Sequence, residues 1–293
     1  MVVIQSLAMY YQASAGIFKG LQDQIASGEL KVPFVPDFMN TTLLALMNLM
    51  LAQAQEAFWQ KAVGGRKEKK GTLGNLHPTK LHTTDLDKKT DATIAKLAAK
   101  VADYYDAAHY QAVSSSVFPQ QWIIHVHVKN LHFNAAAQYR KGCEALSAGK
   151  YGEEIARLHL AESHVKKAME YHKQLGAAVL NDLKGLQAVL ASHLARAEKD
   201  NNIIYLEIVP KVENLSAIGR AEMVTPTPVP DLVGLGDVVG APLFSKVFNS
   251  PGRYVFLAFV NYKHESKFSW FHLLYIKLYP YILAKRKNWS VFK

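Results

Sequence analysis

Long runs of apolar residues at helical spacing fill most of this chain, and they restrict its fold more than any other feature of the sequence. Six segments carry apolar residues at i, i+3, i+4 and i+7, the pattern of a helix that buries one face. The segments predicted as helices are residues 2–26, 41–63, 91 onward, 119–148, 152–174 and 177–198. Long helices with short joints, without a strict repeat period, favour an all-α, solenoid-like stack.

The second of these segments contains the stretch NLMLAQAQEAFWQKAV, residues 48–63. It is rich in strong helix formers, and Met50, Ala54 and Phe58 share one face at helical spacing. Phe58 and Trp59 are adjacent, so their side chains point about 100° apart on a helix. We therefore expect one of the two to leave the main core-facing stripe and to contact something else.

Two segments between and after the helices lack this periodicity. Residues 64–90 are polar, charged and glycine-containing, which predicts a mobile loop that begins at Gly64 and Gly65. The stretch NNIIYLEIVPKVENLSAIGRAEMVTPTPVP, which follows the sixth helix, is strand-like and proline-rich. Because it has no helical period, we expect an extended arm that lies on the helices.

The charge distribution argues against a nucleic-acid partner. The formal net charge is +10, but the basic residues concentrate in residues 64–90 and 251–293, so the rest of the chain is near neutral. No basic stripe with interleaved aromatic residues runs along a predicted helix. Cys143 is the single cysteine, which excludes an internal disulfide and suits the cytosol. The first residues read as an amphipathic helix and not as a signal peptide.

No group of residues in the sequence forms a recognisable catalytic or metal-binding motif. His125 and His132 share a helical face but His127 does not, so structural histidines are favoured over a metal site. Glu153 and Glu154 are adjacent and diverge, which favours a solvated first helical turn over an acid–base pair. There is no nucleophile elbow and no glycine-rich phosphate loop. We expect no enzyme activity, no cofactor and no metal.

Four stretches resemble the BRO-one domain family of ALIX-type proteins (programmed cell death six-interacting protein-like), in the same order as in that family. They are MLAQAQEAFWQKA, TIAKLAAKVADYYDAA, GKYGEEIARLHLAESHVKKA and EKDNNIIYLEIVPKVENLSAIGRAEMV. The resemblance covers residues 7–248. It implies a boomerang-shaped helical domain with a tetratricopeptide-like core. It also implies a cytoplasmic adaptor of the endosomal sorting (ESCRT) pathway, recruited to endosomes, that acts in multivesicular-body sorting and membrane remodelling.

The ligand that the resemblance implies is the C-terminal amphipathic helix of a Snf-seven-type ESCRT-III subunit, a charged multivesicular body protein. In the family this helix lies in an apolar patch on two neighbouring helices. Phe58 and Lys61 match the aromatic and basic positions of that patch, and Leu97 matches a leucine, next to Ile94. Thr93 stands where relatives carry isoleucine, so this contact is expected to be weaker. Ordinary core packing is the alternative role for Phe58.

Tyr205 matches a tyrosine of the family on the extended arm. An exposed phosphorylation site and a packed tyrosine that anchors the arm both remain open for it.

The sequence departs from the family at both ends. The small sheet and first helices of the family have no counterpart before residue 1, so residues 1–248 are expected to form a partial domain. Residues 249–293 are apolar, aromatic and basic and match nothing in the family. An interfacial membrane contact and a divergent chain end both remain open for this tail. The alternative functions are a helical scaffold that has lost the ligand, or a membrane-surface protein that acts through its tail.

Overall fold

A computed structural model describes residues 2–29, 36–72 and 85–228, and it shows a consecutive stack of long helices. The helices are α1 (Val2–Ser27), α2 (Asn40–Thr72), α3 (Asp85–Val113), α4 (Gln120–Ser147), α5 (Tyr151–Met169) and α6 (Ala177–Asp200). Three-residue 3-10 helices occur at Pro36–Phe38, His172–Gln174 and Val212–Asn214, and a π-helical turn, Asn201–Tyr205, follows α6. The tail, residues 249–293, lies outside the described residues.

Each helix packs against the helix that follows it along the chain, from α1 against α2 to α5 against α6. This neighbour-to-neighbour packing is the arrangement of a helical solenoid. The main apolar core lies between α1, α2, α3 and α4 and is rich in alanine, which lets the helix backbones approach closely. Smaller clusters join α4, α5 and α6. The predicted all-α stack is therefore confirmed.

The prediction of a loop over residues 64–90 is wrong at both of its ends. Helix α2 continues through Gly64 and Gly65 to Thr72, and α3 begins at Asp85 instead of Asp91. Glycine costs about 1 kcal/mol in a helix interior, whereas the lysine, arginine and glutamate residues that follow Gly65 are good helix formers. Two glycines therefore do not end the helix, and residues 73–84 lie outside the described residues. The fifth helix also ends earlier than predicted, at Met169, followed by a turn and a short 3-10 helix.

The prediction of an extended arm is wrong for Asn201–Tyr205, which continue from α6 as a π-helical turn closed by the hydrogen bond from the Leu206 nitrogen to the Asn201 carbonyl oxygen. The arm itself runs from Leu206 to Pro228 and is extended except for one 3-10 turn. It contacts α5, α3, α2 and α1 in succession. At α5 the buried Arg157 donates from Nη2 to the carbonyl oxygen of Ser216 at 2.8 Å. Between α2 and α3 the arm contributes Ile218 and Val224 to the main core. At α1 the backbone nitrogen of Thr227 donates to the carbonyl oxygen of Gln12 at 3.1 Å.

Two glycines allow the arm to approach the helices this closely. A Cβ atom at Gly16 of α1 would overlap the carbonyl oxygen of Thr227, and one at Gly152 of α5 would overlap that of Ile208. Neither oxygen can move without shifting the arm backbone, so any larger residue at these positions displaces the arm. The arm is thus an integral layer of the fold.

Candidate functional site

The residues that the resemblance implies for ligand binding lie on two adjacent helices, α2 and α3. Ala221 of the arm fixes their relative position, because its carbonyl oxygen accepts from Gln55 Nε2 at 2.7 Å and its nitrogen donates to the carbonyl oxygen of Lys96 at 3.2 Å. Phe58 follows Gln55 by almost one turn, and Thr93 precedes Lys96 by almost one turn. Helices α2 and α3 pack against each other, so Phe58 and Thr93 each lie within one helical turn of the bridge that Ala221 forms between them.

The residues implied for ligand binding are Phe58, Lys61, Thr93, Ile94 and Leu97. They differ in how much of each side chain is accessible. Thr93 is exposed, and Phe58 and Lys61 are half-buried. Leu97 is 5% exposed and Ile94 is 0% exposed. A ligand therefore reaches Phe58, Lys61 and Thr93 in this conformation, whereas direct contact with Ile94 requires a rearrangement around it. Their role in binding remains a prediction.

Phe58 and Trp59 both pack against the main core, although they diverge as expected on the helix. The Trp59 ring meets the Phe133 ring of α4 edge to face, with 5.1 Å between the ring centroids. Its Nε1 atom is buried and has no hydrogen-bond partner among the described residues. Trp59 thus reaches α4, whereas Phe58 packs against the main core and keeps part of its side chain accessible.

A charged network connects α2 to α3 and α4 in the turn that precedes Phe58. Glu56 accepts from Lys129 Nζ at 2.8 Å and from the Tyr105 hydroxyl at 2.7 Å. Burial alone would raise the pKa of Glu56, but the charge and hydrogen bond of Lys129, with the Tyr105 hydrogen bond, hold this pKa below its usual value. The Lys129 ammonium also lies 5.0 Å from the centre of the Phe133 ring. Glu56 and Lys129 are therefore structural groups, each satisfied by the other.

The histidines of α4 are structural groups in the folded chain. Burial, reinforced by the positive charge of Lys129, lowers the pKa of His125 to about 3 and that of His132 to about 4. The His127 ring contacts the His109 ring of α3 at a tilt of 32°, with 4.6 Å between the ring centroids. No group of three or more candidate metal ligands occurs among residues 2–29, 36–72 and 85–228.

The adjacent carboxylates of α5 bind different arginines. Glu153 Oε1 accepts from Arg157 at 2.9 Å, whereas Glu154 pairs with Arg196 of α6. The prediction of a solvated first turn is wrong for Glu154, which is buried because α6 covers it; burial raises its pKa and Arg196 opposes this shift. The two side chains diverge, so they do not form an acid–base pair.

Tyr205 is the last residue of the π-helical turn that precedes the arm, and part of its side chain is exposed. Its ring stacks on the Tyr151 ring of α5, with 3.4 Å between the centroids and 10° between the planes. One ring face is therefore packed, as an anchoring role requires, while the exposed part is what a kinase would need. Both predicted roles remain compatible with this position.

Sequence reasoning missed the polar residues that hold the arm. Gln55 is fully buried, and its side-chain amide binds the backbone of Ala221 and Met223. The side-chain amide of Asn201 binds both the backbone nitrogen and the carbonyl oxygen of Glu207. A signal existed for Gln55, because it interrupts the alanine and leucine residues of LAQAQEA at a core position. A polar residue there needs a buried partner.

No helix within the described ranges is both long enough and apolar enough to span a membrane.

Comparison with known proteins identifies the family. The family model BRO1-like domain matches residues 3–250. The pH-response regulator protein palA/RIM20 of Emericella nidulans is 40% identical over 244 residues, which are 81% of this chain and 26% of that protein. The mouse Programmed cell death 6-interacting protein is 33% identical over 227 residues, covering 77% of this chain and 23% of that protein. This chain therefore spans about a quarter of the length of these curated relatives.

A solved structure agrees with these matches. The structure described as "ALIX BRO1 CHMP4C complex" superposes with a TM-score of 0.63 at 30% identity, over 82% of this chain and 58% of that chain. The order of helices, the extended arm and the sequence motifs thus point to one family. This chain belongs to the BRO1-like domain family.

Proposed function

We propose that this chain is a non-enzymatic adaptor that binds the C-terminal amphipathic helix of a Snf-seven-type ESCRT-III subunit. The observation that carries the proposal is that the arm bridges Gln55 of α2 and Lys96 of α3, and that Phe58 and Thr93 each lie three residues from one end of this bridge. The 30%-identical solved structure contains CHMP4C with an ALIX BRO1 domain, which supports a ligand of this class. The described residues offer structural ion pairs and half-buried histidines with lowered pKa values, and none of these groups forms a catalytic arrangement.

The physical basis of binding is the burial of an apolar helix face in the patch between α2 and α3. An amphipathic helix presents apolar anchors at i, i+3 and i+4, and half-buried Phe58 supplies a large apolar surface for them. Lys61, one turn further on, lies at the edge of the patch and attracts acidic residues of the ligand. Thr93 has less apolar surface than isoleucine, so its contribution is smaller.

The pathway follows from the partner and from the relatives. Binding an ESCRT-III subunit places a cytoplasmic adaptor at endosomal membranes, where that subunit assembles in multivesicular-body sorting. The 40%-identical relative is named a pH-response regulator, so signalling in response to pH is a second process that the same interaction serves. Phosphorylation of Tyr205, in the π-helical turn before the arm, is the proposed modification.

The proposal is tested by titrating the chain with the C-terminal helix peptide of a CHMP4-type subunit. A matched peptide, in which the apolar anchors are replaced by serine, serves as the control. We expect saturable binding of the first peptide and at least a tenfold loss with the second. Equal, weak binding of both peptides would show that this chain is a helical scaffold without that ligand.

A further inference from the structure

A pair of histidine side chains joins the end of α3 to α4. The centres of the His109 ring of α3 and the His127 ring of α4 lie 4.6 Å apart, with 32° between the ring planes. The His127 ring also meets the Tyr171 ring edge to face, with 5.7 Å between the centroids, in the turn that follows α5. One imidazole therefore contacts two other elements of the fold. We call this contact of His109, His127 and Tyr171 the histidine clasp.

The histidine clasp lies between two apolar clusters, far along α3 from the predicted peptide-binding residues. His109 stands roughly 24 Å along the helix from Thr93, because each residue of a helix adds about 1.5 Å. Its neighbour Ala108 belongs to the main core. Tyr171 packs against a small cluster that joins α4, α5 and α6 and consists of Val128, Leu131, Ala168 and Leu183. The clasp therefore connects the main core to this small cluster.

Both imidazoles of the clasp are half-buried, so protons from the solvent reach them. Burial lowers the pKa of His109 and of His127, and the charge of His127 lowers the pKa of His109 further. The Asp106 carboxylate, one turn before His109, raises the pKa of both rings without outweighing burial. Asp106 is itself exposed, so water and salt screen its charge. The clasp is therefore neutral at pH 7, and the first proton that it takes up opposes the second.

The other charged groups on the packed elements act elsewhere. Lys129 of α4 pairs with Glu56 of α2, and it also interacts with Asp182 of α6. His172 and Lys173, in the short helix after α5, are exposed. Within the described part of the chain, one carboxylate thus acts on both imidazoles of the clasp, and it cannot neutralise both when they are protonated.

Acidification acts on the clasp with a definite sign. The ordinary pKa of a histidine is 6.5, and the folded-state pKa of each ring lies below that value. An open clasp therefore takes up protons first. The contact keeps its full stability above about pH 6.5 and loses it as the pH falls below that value. Because the clasp is half-buried and lies near the end of α3, this loss favours local opening over unfolding of the whole stack.

We propose that the histidine clasp is an acid-sensitive switch, closed at neutral pH and opened when its two imidazoles are protonated. Opening releases residues 107–113 from α4, and α4 from the turn after α5, while the rest of the helical stack stays folded. The switch makes one end of the stack responsive to pH between about 6.5 and 5. It does not depend on the proposed ESCRT-III ligand, whose predicted contacts lie towards the other end of α3.

The first test is a nuclear magnetic resonance titration of the imidazoles in the full chain. His109→Gln should raise the pKa of His127 by about half a pH unit or more, and His127→Gln should do the same for His109, because the like charge is removed. Asp106→Asn, at an exposed position, should lower the pKa of both rings. His159→Gln, at an exposed histidine of α5, is the control and should change neither. Thermal melts at pH 7.5 verify that each variant is folded.

The second test is hydrogen exchange at pH 7.5 and pH 5.5, corrected for the intrinsic exchange rates. Residues 190–197 of α6 serve as the internal reference for unfolding of the whole stack. Between the two pH values, exchange in residues 107–113 should accelerate at least about fivefold more than in the reference. Asp106→Asn should enlarge this difference, since it lowers the pKa values of the closed clasp only, and His109→Gln should reduce it.

Two results would overturn the proposal. One is equal acceleration of exchange in residues 107–113 and 190–197 of the wild-type chain, because acid would then unfold the stack as a whole. The other is a His127 pKa that stays the same in His109→Gln and in Asp106→Asn, because the two rings would then titrate independently. Asp106→Asn decides the matter alone if the histidine variants do not fold.

Discussion

The Glu56 carboxylate lies 2.8 Å from the Lys129 ammonium, and this ion pair joins α2 to α4 two residues before Phe58. Both side chains are largely buried, and the Tyr105 hydroxyl satisfies the second carboxylate oxygen. A buried pair of this kind contributes little compared with apolar packing, but the loss of one partner leaves the other charge uncompensated. The pair therefore makes the helix that carries the predicted binding residues sensitive to single substitutions.

Lys129→Met should lower the free energy of unfolding by about 2–4 kcal/mol, because it leaves the Glu56 carboxylate buried without a cation. The double variant Glu56→Leu with Lys129→Met should recover at least half of this loss. Chemical denaturation of both variants measures the difference. Lys19→Met, which breaks an exposed pair with Asp23, is the control and should change stability by less than about 0.5 kcal/mol. Similar losses in Lys129→Met and the double variant would contradict this role of the pair.

Acidification should destabilise the chain through His125 and His132 of α4, which are half-buried. Their folded-state pKa values, about 3 for His125 and about 4 for His132, lie below the ordinary value of 6.5. The unfolded chain therefore takes up these protons first, and stability is lost as the pH falls from about 6.5 towards 4. At pH 5 each histidine accounts for about 2 kcal/mol.

Denaturant titrations at pH 7.5 and pH 5 measure how much the free energy of unfolding falls between these two pH values. His125→Gln with His132→Gln should make the stability less dependent on pH in this interval. The pKa of Glu56 is lowered in the folded chain, so this group changes the stability only below about pH 4.5, the ordinary pKa of a glutamate. It does not contribute between pH 5 and 7.5. A double variant with the same pH dependence as the wild-type chain would show that other groups take up the protons.

Replacing Gln55 by methionine should loosen the arm. The carbonyl oxygen of Ala221 and the nitrogen of Met223 would both lose a buried partner, at a cost of about 1–3 kcal/mol. Hydrogen exchange at the Met223 amide should become faster in the variant. Gln53→Met is the matched control two residues earlier, because the Gln53 Oε1 atom has no hydrogen-bond partner among the described residues. Unchanged exchange at Met223 would mean that Gln55 does not hold the arm.

Two glycine-to-alanine substitutions should have opposite signs. Gly16→Ala places a Cβ against the carbonyl oxygen of Thr227 and should displace the end of the arm, which destabilises the chain. Gly185→Ala in α6 meets nothing within 4 Å, so it should stabilise the chain by about 0.5–1 kcal/mol through helix propensity. Thermal melts compare the two variants directly. Stabilisation by Gly16→Ala would show that the arm does not lie against α1.

The helical stack could be predicted from the sequence because periodicity reports which face of each helix is buried. The extended course of the arm followed from its prolines and its lack of a helical period. Its anchoring could not be predicted, because Gln55 and Arg157 contact backbone atoms more than 50 residues away. The end of α2 was missed because Gly64 and Gly65 weaken a helix without excluding it.

The candidate site could also be predicted only in part from the sequence. Helical spacing showed that Phe58 and Trp59 diverge, but only the packed structure shows that Trp59 contacts Phe133. The functional role of Phe58, Lys61 and Thr93 came from family resemblance, since spacing does not distinguish a binding patch from a core. Ile94 is completely buried, as its place in the apolar stripe of α3 predicts, which does not fit direct contact with a ligand in this conformation.

The most direct test of the central claim is one titration of the ESCRT-III helix peptide against three variants and the wild-type chain. Thr93→Ile adds apolar surface at an exposed position of the patch and should tighten binding about three- to tenfold. Phe58→Asp should weaken binding more than tenfold, because a charge in the patch must be desolvated. Tyr110→Asp, at an exposed aromatic residue elsewhere on α3, is the control and should bind as the wild-type chain does. If Thr93→Ile and a folded Phe58→Asp variant both bind with wild-type affinity, the peptide does not bind between α2 and α3.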